Sequence, residues 1–236
     1  MSYYMNPPVA VAEPTARAEF IKRTYAHLAG AILAFAGLEA ILINTVMNTE
    51  AGKELFSRFF TMPYAWVMLM IGFMGVSWLA ESWANSNASR GLQYAGLGLY
   101  VVAEAIIFLP LLWIAAEYYP ADIIPKAGGM TLAVFGGLTI AVLMTGHDFS
   151  FLRTGLTVAG VVATALVFIG AIWGFSLGLW FSFAMVAFAC GAILYHTSNV
   201  LHHYRTDQYV AASLSLFASV ALLFWYILRI FMSSRD

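Results

Sequence analysis

Apolar residues along this chain fall into about seven long runs separated by short polar stretches, and within each run they are continuous rather than alternating. A half-buried strand alternates with a period of two, so unbroken runs of this length predict helices. A helix needs about 20 apolar residues to cross a hydrocarbon core about 30 Å thick. The spans read as 24–46, 63–80, 91–116, 127–145, 152–172, 177–201 and 209–231, the second being short and starting at or before Pro63. Backbone groups find no water in lipid and must bond within their own helix. The expected fold is therefore an all-α membrane protein with one transmembrane domain over 24–232, a polar N-terminal tail over 1–23 and a short tail over 233–236.

The stretches between the runs read as loops. Residues 47–62 carry Asn48, Glu50, Lys53, Glu54 and Arg58, and residues 81–90 carry Glu81, Asn85, Ser86, Asn87 and Arg90. Residues 117–126 carry Glu117, Pro120, Asp122, Pro125 and Lys126, and the turns at 146–151 and 202–208 are compact. No repeat array is evident.

Composition agrees with the pattern. Of 236 residues, 62% are hydrophobic and 10% charged, where a soluble domain has roughly 45–50% and about 25%. A net charge of −1 leaves no basic surplus for nucleic acid or anionic lipid. The single cysteine, Cys190, has no partner for an internal disulfide and reads as a packing residue. Glu13, Arg17, Glu19, Lys22 and Arg23 precede any apolar core, so the first span is expected to act as an uncleaved signal. Arg17, Lys22 and Arg23 favour a cytoplasmic N-terminus. Seven crossings then place Arg90, Arg153 and Arg205 on that side, and Lys53, Arg58, Lys126, Arg229 and Arg235 on the other.

Polar residues within the spans are where chemistry is sought, because an ionisable group at membrane depth is costly. Glu104 lies mid-span and reads either as a proton- or cation-handling carboxylate or as a carboxyl bonded to a neighbouring helix. Pro110 follows it and frees a backbone carbonyl. Glu39 is near enough to a helix end to snorkel, and His27 and Glu81 read as interfacial. His196 reads as a proton switch or as a satisfied core histidine. It is too far from His203 to share a metal ion, and no metal-ligand spacing or cofactor motif appears. Ala212, Ser215 and Ser219 share a face of the last span and read as close packing or as a polar pore lining. No nucleophile–base pair can be named, so an enzyme is not expected.

Three ordered motifs carry a family resemblance. Thr145-Gly146-His147-Asp148-Phe149-Ser150-Phe151-Leu152 is similar to the loop before the fifth helix in the Bax inhibitor-1 family, with Asp148 and Phe149 at its centre. Gly191-Ala192-Ile193-Leu194-Tyr195-His196-Thr197-Ser198-Asn199-Val200 resembles that family's sixth-helix signature, and Tyr209-Val210-Ala211-Ala212-Ser213-Leu214-Ser215-Leu216-Phe217 its last-helix opening. The chain looks closest to the bacterial YccA-like branch, a likeness that Ser234-Arg235-Asp236 shares. The resemblance implies a seven-helix bundle with the last helix near the centre, in the bacterial inner membrane. It also implies either a pH-sensitive Ca²⁺ leak or interaction with the membrane AAA protease FtsH.

Family members that leak Ca²⁺ pair two aspartates, and by motif register those positions are His196 and Ser219 here. Two close carboxylates can share a proton and gate a pore. A histidine with a serine cannot, and a protonated imidazole repels Ca²⁺. The expected function is thus modulation of a membrane quality-control protease by binding. A pH-sensitive Ca²⁺ or H⁺ leak involving Glu104, His196 and Ser219 is the alternative, with Glu104 and His196 expected to approach each other across the third and sixth spans.

Overall fold

The computed structural model describes residues 7–62, 64–86 and 89–233. Pro63, Asn87 and the terminal Ser234-Arg235-Asp236, which entered the sequence reading, lie outside them. Eight α-helices follow in order: α1 (Pro14–Leu42), α2 (Glu50–Thr61), α3 (Ala65–Ala84), α4 (Arg90–Tyr118), α5 (Ile123–Thr145), α6 (Leu152–Trp173), α7 (Gly178–His202) and α8 (Tyr209–Ser233). All except α2 are long and apolar enough to cross a membrane, so the chain is a seven-span, all-α integral membrane protein.

The last helix is the hub. More of α8 is buried than of any other span, and it packs against α1, α3, α4, α5 and α7. At 25 residues it is long enough to cross. In lipid no hydrophobic drive pushes helices together, so packing itself must hold them. Around α8 that packing is aromatic. Phe35 meets Phe108 edge-on at 5.1 Å and Phe217 at 6.0 Å, and Phe108 meets the Trp225 ring at 4.8 Å. Small residues let α3 and α4 touch. A Cβ built on Gly96 would lie 2.5 Å from the Ala80 carbonyl oxygen and 2.6 Å from the Ala84 nitrogen.

Two stretches differ from the sequence reading. Residues 47–62, read as a loop, contain α2. Thr49 caps it by accepting the Gly52 N–H at 3.1 Å, Glu50 sits in its first turn and Arg58 in its last, both favourable to the helix dipole. Its charged and apolar residues separate at helical spacing, and Phe56 meets the Trp113 ring at 4.8 Å. At this spacing the charges mark the polar face of an amphipathic helix rather than a loop.

The second difference is at the N-terminus. Helix α1 begins at Pro14 rather than near residue 24, with Pro in its first turn where a missing N–H costs nothing. Its 29 residues extend about 44 Å, more than the hydrocarbon core requires. Ahead of it, Pro7–Val9 lies as a strap on the α7–α8 loop. The Val9 N–H donates to the Tyr204 carbonyl at 2.9 Å, the Thr206 N–H to the Pro7 carbonyl at 3.4 Å, and the Val9 side chain is fully buried.

Candidate functional site

Helices α3, α4, α6, α7 and α8 line an open cavity of about 740 Å³. It exists because α6 leans on α7, touches α3 only briefly and, among the described residues, makes no extended contact with α4 or α8. The α6–α7 contact is close, since a Cβ on Gly191 would lie 3.3 Å from Leu156 and one on Gly160 would lie 3.4 Å from Phe188.

Glu104, His196 and Ser219 all line this cavity, from three different helices. Glu104 is 6% exposed and stands one helical turn after Tyr100, which also lines the cavity. Buried Ser219 donates to the Ser215 carbonyl at 3.0 Å. Among the described residues, the His196 Nδ1 is buried without a hydrogen-bond partner. Tyr195, Arg153 and Glu81 also border the cavity. Sequence reasoning did not single out Tyr100, Tyr195 or Arg153. The i, i+4 spacing of Tyr100 and Glu104 was the available signal for the first, whereas Tyr195 and Arg153 join the group only through helix packing.

Glu39 takes no part in the cavity, and its expected snorkelling is not what the structure has. It continues the buried stripe of α1 through Leu28, Ala31 and Phe35, is 4% exposed, and both its carboxyl oxygens lack a partner among the described residues. Position along α1 suggested a reach to the interface, but the face it occupies turns inward.

Asp148 and Phe149 lie elsewhere, in the α5–α6 loop at the bundle end that carries the N-terminus. Gly146 opens this loop with φ of 63°, a left-handed conformation that glycine adopts without penalty. Asp148 then accepts hydrogen bonds from the Ser150 N–H at 2.8 Å, the Ser198 hydroxyl at 3.2 Å and the His203 Nε2 at 3.2 Å. The Phe149 N–H donates to the Ser198 oxygen at 2.9 Å, and His202 donates to the Gly146 carbonyl at 3.1 Å. Two of the motifs quoted above therefore meet, with Ser198 bridging them, and these bonds latch the loop onto α7.

These bonds, the Ser150 N–H foremost, push the Asp148 pKa down to about 2. A depressed carboxylate stabilises the fold above its ordinary value of about 3.9, and that contribution is lost as pH falls through about 2. Between pH 5 and 7 the latch should not respond through Asp148. Hydrogen exchange at Phe149 and Ser150, corrected for intrinsic rates, reads the contribution of Asp148 at the two pH values. Asp148→Asn should speed it at both, and protection unchanged in the variant would remove the latch.

Near the same end, two guanidinium groups lie over the ring of Tyr209 of α8, Arg90 at 5.0 Å and Arg23 at 5.5 Å. His27 donates from Nδ1 to the Arg23 carbonyl at 2.7 Å, and its Nε2 meets the Tyr94 hydroxyl at 3.2 Å. Tyr94 in turn meets the Tyr209 hydroxyl at 3.1 Å. This network pins α1, α4 and α8 together.

A seven-span bundle around a buried last helix, with a cavity beside that helix into which a few polar side chains reach, defines a polytopic membrane protein whose distinctive groups lie at membrane depth. The chain belongs to the Bax inhibitor-1 family, described as inhibitor of apoptosis-promoting Bax1, which matches residues 17–236. It is 30% identical over 236 residues to an uncharacterised protein of Pseudomonas aeruginosa, covering 97% of this chain and 95% of that one. It is 28% identical over 219 residues to the modulator of FtsH protease YccA of Escherichia coli, covering 92% and 91%. Protein LIFEGUARD 4 of Arabidopsis thaliana is 26% identical over 237 residues, covering 97% and 90%.

Proposed function

We propose that this protein binds and modulates a membrane-embedded quality-control protease of the FtsH type, in a bacterial inner membrane and with its N-terminus cytoplasmic. It acts by contact rather than by catalysis. The observation that carries this reading is the likeness, over nearly the whole of both chains, to a relative named as a modulator of FtsH protease. A physical feature supports it. Between α1 and α4 runs a groove lined by Ala26, Gly30, Ala34 and Gly98, small residues of the kind that let a partner's helix approach closely.

Gly30→Leu and Gly98→Leu test the groove, because neither position has an atom within 4 Å of a built Cβ and both should fold. The parent should co-purify with the protease and alter its turnover of membrane substrates. Both variants should lose at least about tenfold in co-purification, roughly 1.4 kcal/mol of helix–helix packing. No association in the parent, with unchanged turnover when the gene is deleted, would sink the reading.

A second reading, a pH-sensitive proton or Ca²⁺ path, is favoured by the place of Glu104, His196 and Ser219 along the lining of one cavity. Proteoliposomes should then pass H⁺, K⁺ or Ca²⁺ in a manner that follows pH between 5 and 8. His196→Ala and Glu104→Gln should each abolish the pH dependence. Flux no greater than that of empty liposomes for all three ions would exclude a path.

A further inference from the structure

One end of the cavity is charged in an unusual way. Glu81 lies in the last turn of α3 and Arg153 in the first turn of α6, so both stand at the bundle end that carries the N-terminus. Both line the cavity and both are exposed. Among the described residues neither side chain has an ion-pair partner, and they are not paired with each other. An acid and a base thus border one opening without neutralising one another, at the level where helix ends meet lipid headgroups.

Away from that end the lining is mainly apolar and aromatic, through Leu156, Phe188, Phe108 and Trp225, with Glu104, His196 and Ser219 set among them. Because α6 barely touches α3, a slot is left between these two helices. Its volume of about 740 Å³ falls within the range of ligand-binding cavities. A free metal cation is a poor occupant of the mouth, since Arg153 repels it, and a lipid with only negative charge is repelled by Glu81. A group carrying phosphate and primary ammonium together satisfies both residues. The guanidinium takes phosphate oxygens in its planar fork, and the ammonium donates N–H bonds to the carboxylate. A quaternary ammonium has no N–H to give.

We propose that the cavity holds one zwitterionic aminophospholipid from the leaflet on the N-terminal side. Its phosphate rests on Arg153, its ammonium on Glu81, and one acyl chain enters the slot between α3 and α6. The proposal rests on neither functional reading above.

The test uses the full chain, delipidated in mild detergent and titrated with phosphatidylethanolamine, phosphatidylcholine or phosphatidylglycerol of identical acyl chains, with bound lipid read by native mass spectrometry. Phosphatidylethanolamine should remain bound as a single copy under activation that strips the other two. Arg153→Gln and Glu81→Gln should each lower its retention about fivefold, the upper range for one exposed charge pair. Glu81→Gln should also raise retention of phosphatidylglycerol, while Glu117→Gln, away from the cavity, should match the parent. Arg153→Lys keeps the charge and should retain more lipid than Arg153→Gln, which separates loss of the site from loss of the fold. Equal retention of the three lipids, or unchanged phosphatidylethanolamine binding in both charge variants, overturns the proposal.

Discussion

Gly96→Ala is expected to destabilise the bundle by about 2–3 kcal/mol, and Gly96→Leu to prevent α3 and α4 from docking at all. The added Cβ meets the backbone of Ala80 and Ala84 at 2.5–2.6 Å, not the tip of a side chain. Flexible side chains can rotate away from an intruder, but a carbonyl and an amide nitrogen inside a helix cannot. Relief requires the two helices to separate, and separation undoes the α3–α4 interface along its length. Gly98→Ala, two positions on, is an internal control because its Cβ meets nothing within 4 Å. That change should be neutral or stabilise by up to about 1 kcal/mol through helix propensity. Denaturation of the folded fraction in mixed detergent micelles reads both. Equal behaviour of the two alanine variants would mean that α3 and α4 are not packed as described.

The second large effect is expected at Phe108. Its ring is 3% exposed and bridges Phe35, Phe224 and Trp225 at 5.1, 5.8 and 4.8 Å. In a soluble core Phe→Ala costs about 3–5 kcal/mol, part of it the loss of transfer from water. In lipid that part is absent, since the separated helices are as well solvated by acyl chains as by one another. What remains is lost dispersion contact and the void, so Phe108→Ala should cost about 2–3 kcal/mol by the same unfolding assay. The void would adjoin the cavity, which Phe108 also lines, so added hydrophobic solutes should recover part of the loss. A cost below about 0.5 kcal/mol, within the range of ordinary surface substitutions, would show that the aromatic cluster is not a packing centre.

Much of the architecture could be read from the pattern because lipid imposes a severe filter: a run of apolar residues long enough to cross has almost no other fate. What the pattern could not supply is what depends on how helices meet. Glu104, His196 and Ser219 each stand out alone, yet their shared cavity follows from α6 standing away from α4 and α8, and nothing in the α6 sequence announces that. The inward turn of Glu39 is likewise a matter of helix rotation. Helix α2 was legible in principle, since Thr49, Glu50 and Arg58 are ordinary helix-end signals, but its charges outweighed its periodicity. The strap at Pro7–Val9 was not, because two backbone bonds to the α7–α8 loop leave no mark in composition.

The central place of α8 bears on how the protein is made. Its five packing partners all precede it in the chain, so the slot it fills stands open until α8 itself has been made. Translation at roughly 5–20 residues per second leaves the early helices waiting for tens of seconds, their inner faces covered only by lipid or by one another. A chain truncated before Tyr209 would never close. It would leave the Thr24 carbonyl without the Ser213 hydroxyl that caps it at 2.8 Å, and would remain in the membrane as six spans around an empty centre, recognisable as unfinished.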